Sequence, residues 1–240
     1  MSQQPAAIYL LHSVDIPPLS PVLQTAKAWL SPAEHERLQR FQSPQAQHNY
    51  LLGRALMRRQ LSQHCQLAPK QLQFSIAAGG KPQLNDTNCN LHFNLTHSNQ
   101  WLALAVSDHS PVGLDIEQPH KPRDAINIAR HYFHRSEYHH LKNLQGQALQ
   151  DQFYKLWTLK EAFFKARGTG ISEGLARVRF NQLIDPITAI IEPELLTADD
   201  QWQFHYWNLT PQLGSSCHLA FACPTSSPQP PTIKRLSNLN

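Results

Sequence analysis

Val112-Gly113-Leu114-Asp115-Ile116-Glu117 is an apolar strand interrupted by two acids at alternate positions. A strand repeats every two residues, so both carboxylates leave on one face. Two carboxylates at a strand end repel each other unless a cation or a proton sits between them, and hard oxygen ligands of this kind suit Mg²⁺. The alternative is a strand edge facing solvent, because Asp-x-Glu by itself is a common pattern. The stretch also divides the chain, since the order of elements begins again from Val112.

Before it, Ile8 to Val14 reads as a strand. Ser31-Pro32-Ala33-Glu34 carries a helix start, with Ser as the cap, Pro in the first turn and Glu closing a capping box. A longer helix is expected over Gln45 to Cys65, followed by strands Gln71 to Ala77, Leu91 to Thr96 and Trp101 to Ser107. After it come helices over about Arg123 to Leu144, a long helix Gln150 to Arg167, and strands Arg177 to Phe180, Ile187 to Ile191, Trp202 to Leu209 and His218 to Cys223. The expected fold class is α/β (α+β), with two similar α/β halves at 1–109 and 110–223. That likeness rests on element order, because no sequence repeat links the halves. Residues 224–240 are rich in Pro, Ser and Asn and read as a disordered tail.

Of the 240 residues, 41% are hydrophobic and 16% charged, a globular composition far from the disordered class. The apolar runs fall well short of a membrane span and the first residues do not resemble a secretory leader, so a cytoplasmic protein is expected. The net charge of +4 favours anionic partners, without the dense basic clusters of a nucleic-acid arm. Cys65, Cys89, Cys217 and Cys223 are scattered and read as reduced thiols. His131, His134, His139 and His140 crowd one helical segment, where surface histidines explain them better than a metal site.

Three further segments bear chemistry. In Phe153 to Lys165, the residues Phe153, Leu156, Trp157, Lys160 and Phe164 follow helical spacing and form a stripe packed inward, with Glu161 and Lys165 as neighbours at i and i+4. An exposed ion pair is the alternative for those two, but so aromatic a helix is better buried. In Phe93-Asn94-Leu95-Thr96-His97-Ser98 a strand ends in three polar side chains that suit phosphate oxygens, or else merely shape a turn. Gly79-Gly80-Lys81-Pro82 turns the chain and offers a lysine to an anion.

In this order and spacing the segments resemble the 4'-phosphopantetheinyl transferases of the surfactin-synthetase-activating (Sfp) type. The likeness runs from about Ser31 to Phe180 and includes Leu51-Leu52-Gly53-Arg54 and Gly168-Thr169-Gly170-Ile171-Ser172. It implies two similar α/β halves in a pseudo-twofold arrangement, meeting at a cleft. It implies transfer of the 4'-phosphopantetheine arm of coenzyme A to a serine of an apo-carrier protein, with release of adenosine 3',5'-bisphosphate. By resemblance Asp115, Glu117 and Glu161 hold Mg²⁺, Glu161 is the candidate base, and Lys165 neutralises charge on the leaving bisphosphate. Thr96 and His97 would contact a coenzyme A phosphate, Lys81 and Pro82 would border the adenine end, and Arg37 would contact a phosphate.

Thr96 stands where the family usually has serine. Asn49 and Glu34 stand where some relatives carry Arg and Lys for the 3'-phosphate, which leaves Arg37 or Arg54 to compensate. The partners implied are coenzyme A and an acyl, polyketide or peptidyl carrier, with no nucleic acid and no membrane, and the protein itself is expected to be a monomer. Two other classes fit the same residues: another Mg²⁺-dependent phosphoryl or nucleotidyl transferase, and a non-enzymatic module that the cation merely stabilises.

Overall fold

The computed structural model describes residues 5–77, 79–85, 89–121, 123–197, 201–224 and 229–239. The chain runs β1 (Ala7–His12), α1 (Pro21–Lys27), α2 (Pro32–Arg40), α3 (Pro44–Cys65), β2 (Phe74–Ile76), β3 (Pro82–Leu84), β4 (His92–Ser98), β5 (Trp101–Ser107) and β6 (Gly113–Glu117). It continues α4 (Ala125–Tyr132), α5 (Arg135–Lys142), α6 (Gly146–Arg167), β7 (Val178–Gln182), β8 (Thr188–Ile191), β9 (Trp202–Asn208), α7 (Thr210–Leu213), β10 (His218–Pro224) and β11 (Thr232–Leu236). The mixed α/β class expected from the sequence is the class observed.

Two sheets organise the molecule. One has the order β11-β1-β5-β4 and the other β6-β10-β9. Alternation sends Ile8, Leu10, Trp101, Ala103 and Ala105 from the first sheet against Val112, Leu114, Ile116, Leu219 and Phe221 from the second, making a core between the sheets. The opposite face of the first sheet is covered by α1 and α3, through Leu23, Leu52, Leu56 and Met57. That of the second is covered by α4 to α6, through Ala129, Phe153, Leu159 and Phe163.

The capping box at Ser31 and Glu34 is present, with Glu34 Oε2 accepting the Ser31 amide at 2.9 Å. The first strand stops at His12, where Ser13 to Asp15 turn the chain. Pro82, read as part of a turn, begins β3 and pairs with β2. This places proline at the first residue of a strand in a two-stranded ribbon, where no ladder amide is needed from it.

Two expectations are corrected. Residues 224–240 are not a disordered tail: Pro224 closes β10, Thr232–Leu236 pairs in parallel with β1, and Leu239 is buried in the core under α1 and α3. Residues 225–228 and 240 of that segment lie outside the described residues. The apolar side chains involved are too far apart in a Pro/Ser/Asn-rich context to show a period; their pairing comes from an edge that β1 offers from the other end of the chain. The four cysteines are not all thiols either. Cys65, at the end of α3, is disulfide-bonded to Cys89 in the segment leading to β4, with Cα atoms 5.4 Å apart. Such a pairing is set by tertiary approach, and spacing carries no trace of it. Cys217 and Cys223 are free and buried, and burial pushes both thiols up to about 12.

Candidate active site

β4 and β6 belong to different sheets, and side chains knit them together. Period two turns Asn94, Thr96 and Ser98 toward β6. Asn94 Oδ1 accepts the Leu114 amide (2.9 Å), the Thr96 hydroxyl donates to Asp115 Oδ1 (3.4 Å), and Ser98 Oγ donates to Glu117 Oε2 (3.3 Å) while accepting the Gln118 amide (2.9 Å). The Asn-x-Thr-His-Ser pattern is thus a ladder of polar side chains aimed at the two acids of β6. His97, on the other side of β4, lines a cleft.

Helix α6 closes the arrangement. It lies so tightly on β6 that a Cβ at Gly113 would stand 1.8 Å from the Ala162 carbonyl oxygen and 2.4 Å from the Ala166 nitrogen. Only glycine permits that approach. Glu161 and Lys165, one turn apart, therefore lie beside Asp115 and Glu117. Lys165 Nζ is 2.6 Å from Asp115 Oδ1 and 3.2 Å from Thr96 Oγ1. Lys165 thus pairs across the sheet boundary, and the intrahelical ion pair with Glu161 does not form. Phe153, Leu156, Lys160 and Phe164 are buried as the helical spacing implied, and Trp157 partly so.

The three carboxylates are electrostatically coupled. Burial raises Asp115 above the usual carboxylate range against the pull of Lys165. Burial and then the charge of Asp115 raise Glu117. Burial, then Asp115, lift Glu161 to about 7. Burial pulls Lys165 down, but Asp115, Glu161 and Glu117 together outweigh it and leave the ammonium above its ordinary value. A carboxyl group whose folded pKa exceeds its unfolded one binds more protons when folded, so its contribution to stability is lost as pH rises. Without divalent cations, the Glu161 contribution should therefore fall between about pH 4.5 and 7, and saturating Mg²⁺ should flatten that fall. Thermal melts across this range, with and without Mg²⁺, test it, and a cation-insensitive profile would count against a metal among these acids.

Beyond His97 the cleft has a volume of about 600 Å³, and Arg37, Asn49, Tyr50, Arg54, Pro82 and Phe93 are among its lining residues. Arg37 and Arg54 both lie over the Tyr50 ring, 5.7 and 5.2 Å from its centre. Arg54 is also held by Glu34 (3.6 Å), whose other carboxylate oxygen takes a 2.6 Å ion pair from Arg58. The Asn49 side chain donates to the Asn99 carbonyl (3.1 Å) and so braces the β4–β5 turn.

Lys81 is not brought into this cleft. Its ammonium donates to the carbonyls of Val112 (2.9 Å) and Ala166 (3.1 Å), pinning the β2–β3 turn to the start of β6 and the end of α6, and burial lowers it to about 8. Gly79 meets the Gly168 carbonyl so closely that a Cβ there would lie 1.6 Å from its oxygen. Tyr50 and Arg123 were not singled out in the sequence. His131, His139 and His140 lie exposed on α4 and α5, and among the described residues no three His, Cys, Asp or Glu side chains form a ready-made metal cage.

Family models match both parts of the chain: the N-terminal 4'-phosphopantetheinyl transferase model over residues 17–109, and the 4'-phosphopantetheinyl transferase superfamily model over 111–222. The chain is 37% identical over 145 residues to the 4'-phosphopantetheinyl transferase Sfp of Bacillus subtilis, covering 60% of this chain and 63% of that one. It is 34% identical over 153 residues to the 4'-phosphopantetheinyl transferase HetI of a Nostoc species, covering 63% of this chain and 65% of that one. The matched stretch thus spans a little under two thirds of these relatives. The chain belongs to the 4'-phosphopantetheinyl transferase superfamily.

Proposed function

We propose that this chain transfers the 4'-phosphopantetheine arm of coenzyme A to a serine of an apo-carrier protein and releases adenosine 3',5'-bisphosphate. The observation that carries this reading is the gathering of Asp115, Glu117, Glu161 and Lys165 beside the arginine-bearing cleft, within a chain that matches this family along most of its length.

The acids suit a hard divalent cation. Asp115 Oδ2 is buried without a hydrogen-bond partner, and the Glu161 carboxylate makes no hydrogen bond or ion pair among the described residues. Unpaired carboxylate oxygens in a partly buried, mutually repelling group are donors for such an ion. Asp115, Glu117 and Glu161 would hold Mg²⁺, which when bound neutralises charge on the pyrophosphate oxygens. Lys165, fixed by Asp115 and Thr96, presents a pre-positioned ammonium to charge that develops on the leaving bisphosphate. Glu161 receives the proton of the carrier serine, directly or through a water. Burial and then the charge of Asp115 raise its proton affinity in the metal-free protein, and a bound cation would lower it, which favours the route through a water. His97 and Arg37 face the phosphates of coenzyme A, and Pro82 borders its adenine end.

One chain supplies every residue named here, which supports a monomeric enzyme. Use of coenzyme A supports a cytoplasmic setting, and the net charge of +4 suits an acidic carrier. Among the described residues no helix is long and apolar enough to cross a membrane. Neither nucleic acid nor membrane enters the proposal.

Intact mass of several apo-carriers after incubation with the protein, coenzyme A and Mg²⁺ tests the reaction and names the partner. One phosphopantetheine per carrier is expected. Asp115→Ala and Glu117→Ala, verified as folded by circular dichroism, should slow loading about 100-fold or more, in line with the loss of one preorganised charge-stabilising group. Folded variants that load carriers at normal rates would remove these acids from the mechanism.

A further inference from the structure

We propose that Arg123 is a further positioning residue of this site, one that holds the Glu117 carboxylate in place for the cation; the inference rests on the metal reading above. Arg123 stands just before α4, and its Nη2 donates to Glu117 Oε1 (3.2 Å) and, at longer range, to Oε2 (3.5 Å). Ser98 holds Oε2 from the other strand. Glu117 is the last residue of β6 and would otherwise choose among several rotamers. These two donors fix one of them.

The guanidinium is itself anchored. It lies 5.2 Å from the centre of the Trp157 ring and 5.7 Å from that of Tyr154, both on α6, so the helix that carries Glu161 also carries the support for Arg123. Tyr154 is fully buried and stacks on His218 (5.4 Å between centres, planes 21° apart). His218, opposite Glu117 on the neighbouring strand β10, is bound through Nδ1 to the Tyr206 hydroxyl (2.7 Å) and through Nε2 to Ser216 Oγ (3.1 Å). The main chain is tied too, with the Arg123 carbonyl accepting from Gln150 Nε2 (3.3 Å). A surface arginine held at so many points does more than screen charge. Groups that orient a metal-binding carboxylate typically change metal affinity or activity 10- to 100-fold when removed.

The alternative is that Arg123 acts as a charge alone. A nearby positive charge repels a dication, so its removal would then tighten metal binding. Mn²⁺ binding by electron paramagnetic resonance, on the full chain alone and with coenzyme A, separates the two. Arg123→Met keeps the aliphatic stem, and Arg123→Lys keeps the charge but loses the flat guanidinium that lies over the Trp157 and Tyr154 rings. Both should weaken Mn²⁺ binding about tenfold or more, with melting temperature in the metal-free protein little changed. Mn²⁺ binding by Arg123→Met that is unchanged or tighter would overturn the proposal, as would full rescue by Arg123→Lys. Glu117→Gln is the companion variant. If it binds Mn²⁺ like the wild type, or if the wild type binds none, the metal reading itself fails and takes this inference with it. If Glu117→Gln loses the ion and Arg123→Met does not, only the role of Arg123 falls.

Discussion

Lys165→Met is expected to slow carrier loading by about 30- to 1,000-fold, or ~2–4 kcal/mol in the barrier, while coenzyme A binds nearly as before. The side chain is held by Asp115 at 2.6 Å and Thr96 at 3.2 Å, so its orientation is set before any substrate arrives. A preorganised charge acts on the charge that develops during reaction more than on the ground state. Methionine preserves the packing of the stem against β6 and deletes only the ammonium. Single-turnover rates and calorimetric coenzyme A affinity, measured side by side, partition the loss. If all of it appeared in binding and the chemical step kept its rate, Lys165 would be a ground-state contact and no more.

The second large effect concerns stability. Lys160 is 0% and Glu137 4% exposed, and their charged groups meet at 2.8 Å between α6 and α5. Lys160 also donates to the carbonyls of Leu175 and Val178, and Glu137 accepts the amides of Phe180 (2.9 Å) and His134 (3.1 Å). Removing one partner leaves an uncompensated buried charge, at a cost of about 3–5 kcal/mol. Lys160→Met should therefore lower the unfolding free energy by that amount in urea titrations. Replacing both residues with apolar ones often costs little elsewhere. Here it should remain destabilising, because four backbone groups would each lose a hydrogen bond. A Lys160→Met protein within 1 kcal/mol of the wild type, a threshold below the usual cost of breaking a buried pair, would show that water or relaxation satisfies Glu137.

Much of this architecture could be read in the residues. Helical spacing in Phe153 to Lys165 identified both the inward stripe and the face that bears Glu161 and Lys165, because periodicity is a local property that packing then exploits. Alternation in Val112 to Glu117 likewise put two acids on one side of a strand. The partners of those groups were less accessible. Lys165 pairs with Asp115, 50 residues away, and Thr96 and Ser98 turn to the acids of β6. Lys81 turns its ammonium from the cleft to two carbonyls. Each of these depends on how two sheets approach, and no spacing rule encodes it. Arg123 sat at a helix boundary with no motif around it. The Cys65–Cys89 bond and the pairing of β11 with β1 are long-range in the same sense, and both defeated a reading based on local pattern.

That last pairing bears on how the molecule avoids sticking to its own kind. β1 lies between β5 and β11. A fragment that ended at residue 224 would strip one flank of β1 and leave unpaired amides and carbonyls along Ala7–His12, whose side chains are almost all buried. Open, apolar strand edges recruit other chains. Among the described residues the outer strand on that side is instead Thr232–Leu236, a short segment carrying Lys234 and Arg235. Lys234 lies over the Tyr9 ring and Arg235 over the Trp101 ring, at 5.8 and 5.3 Å. Strand β11 therefore acts as a selvedge, closing this edge of the sheet with charge where it would otherwise fray into aggregation.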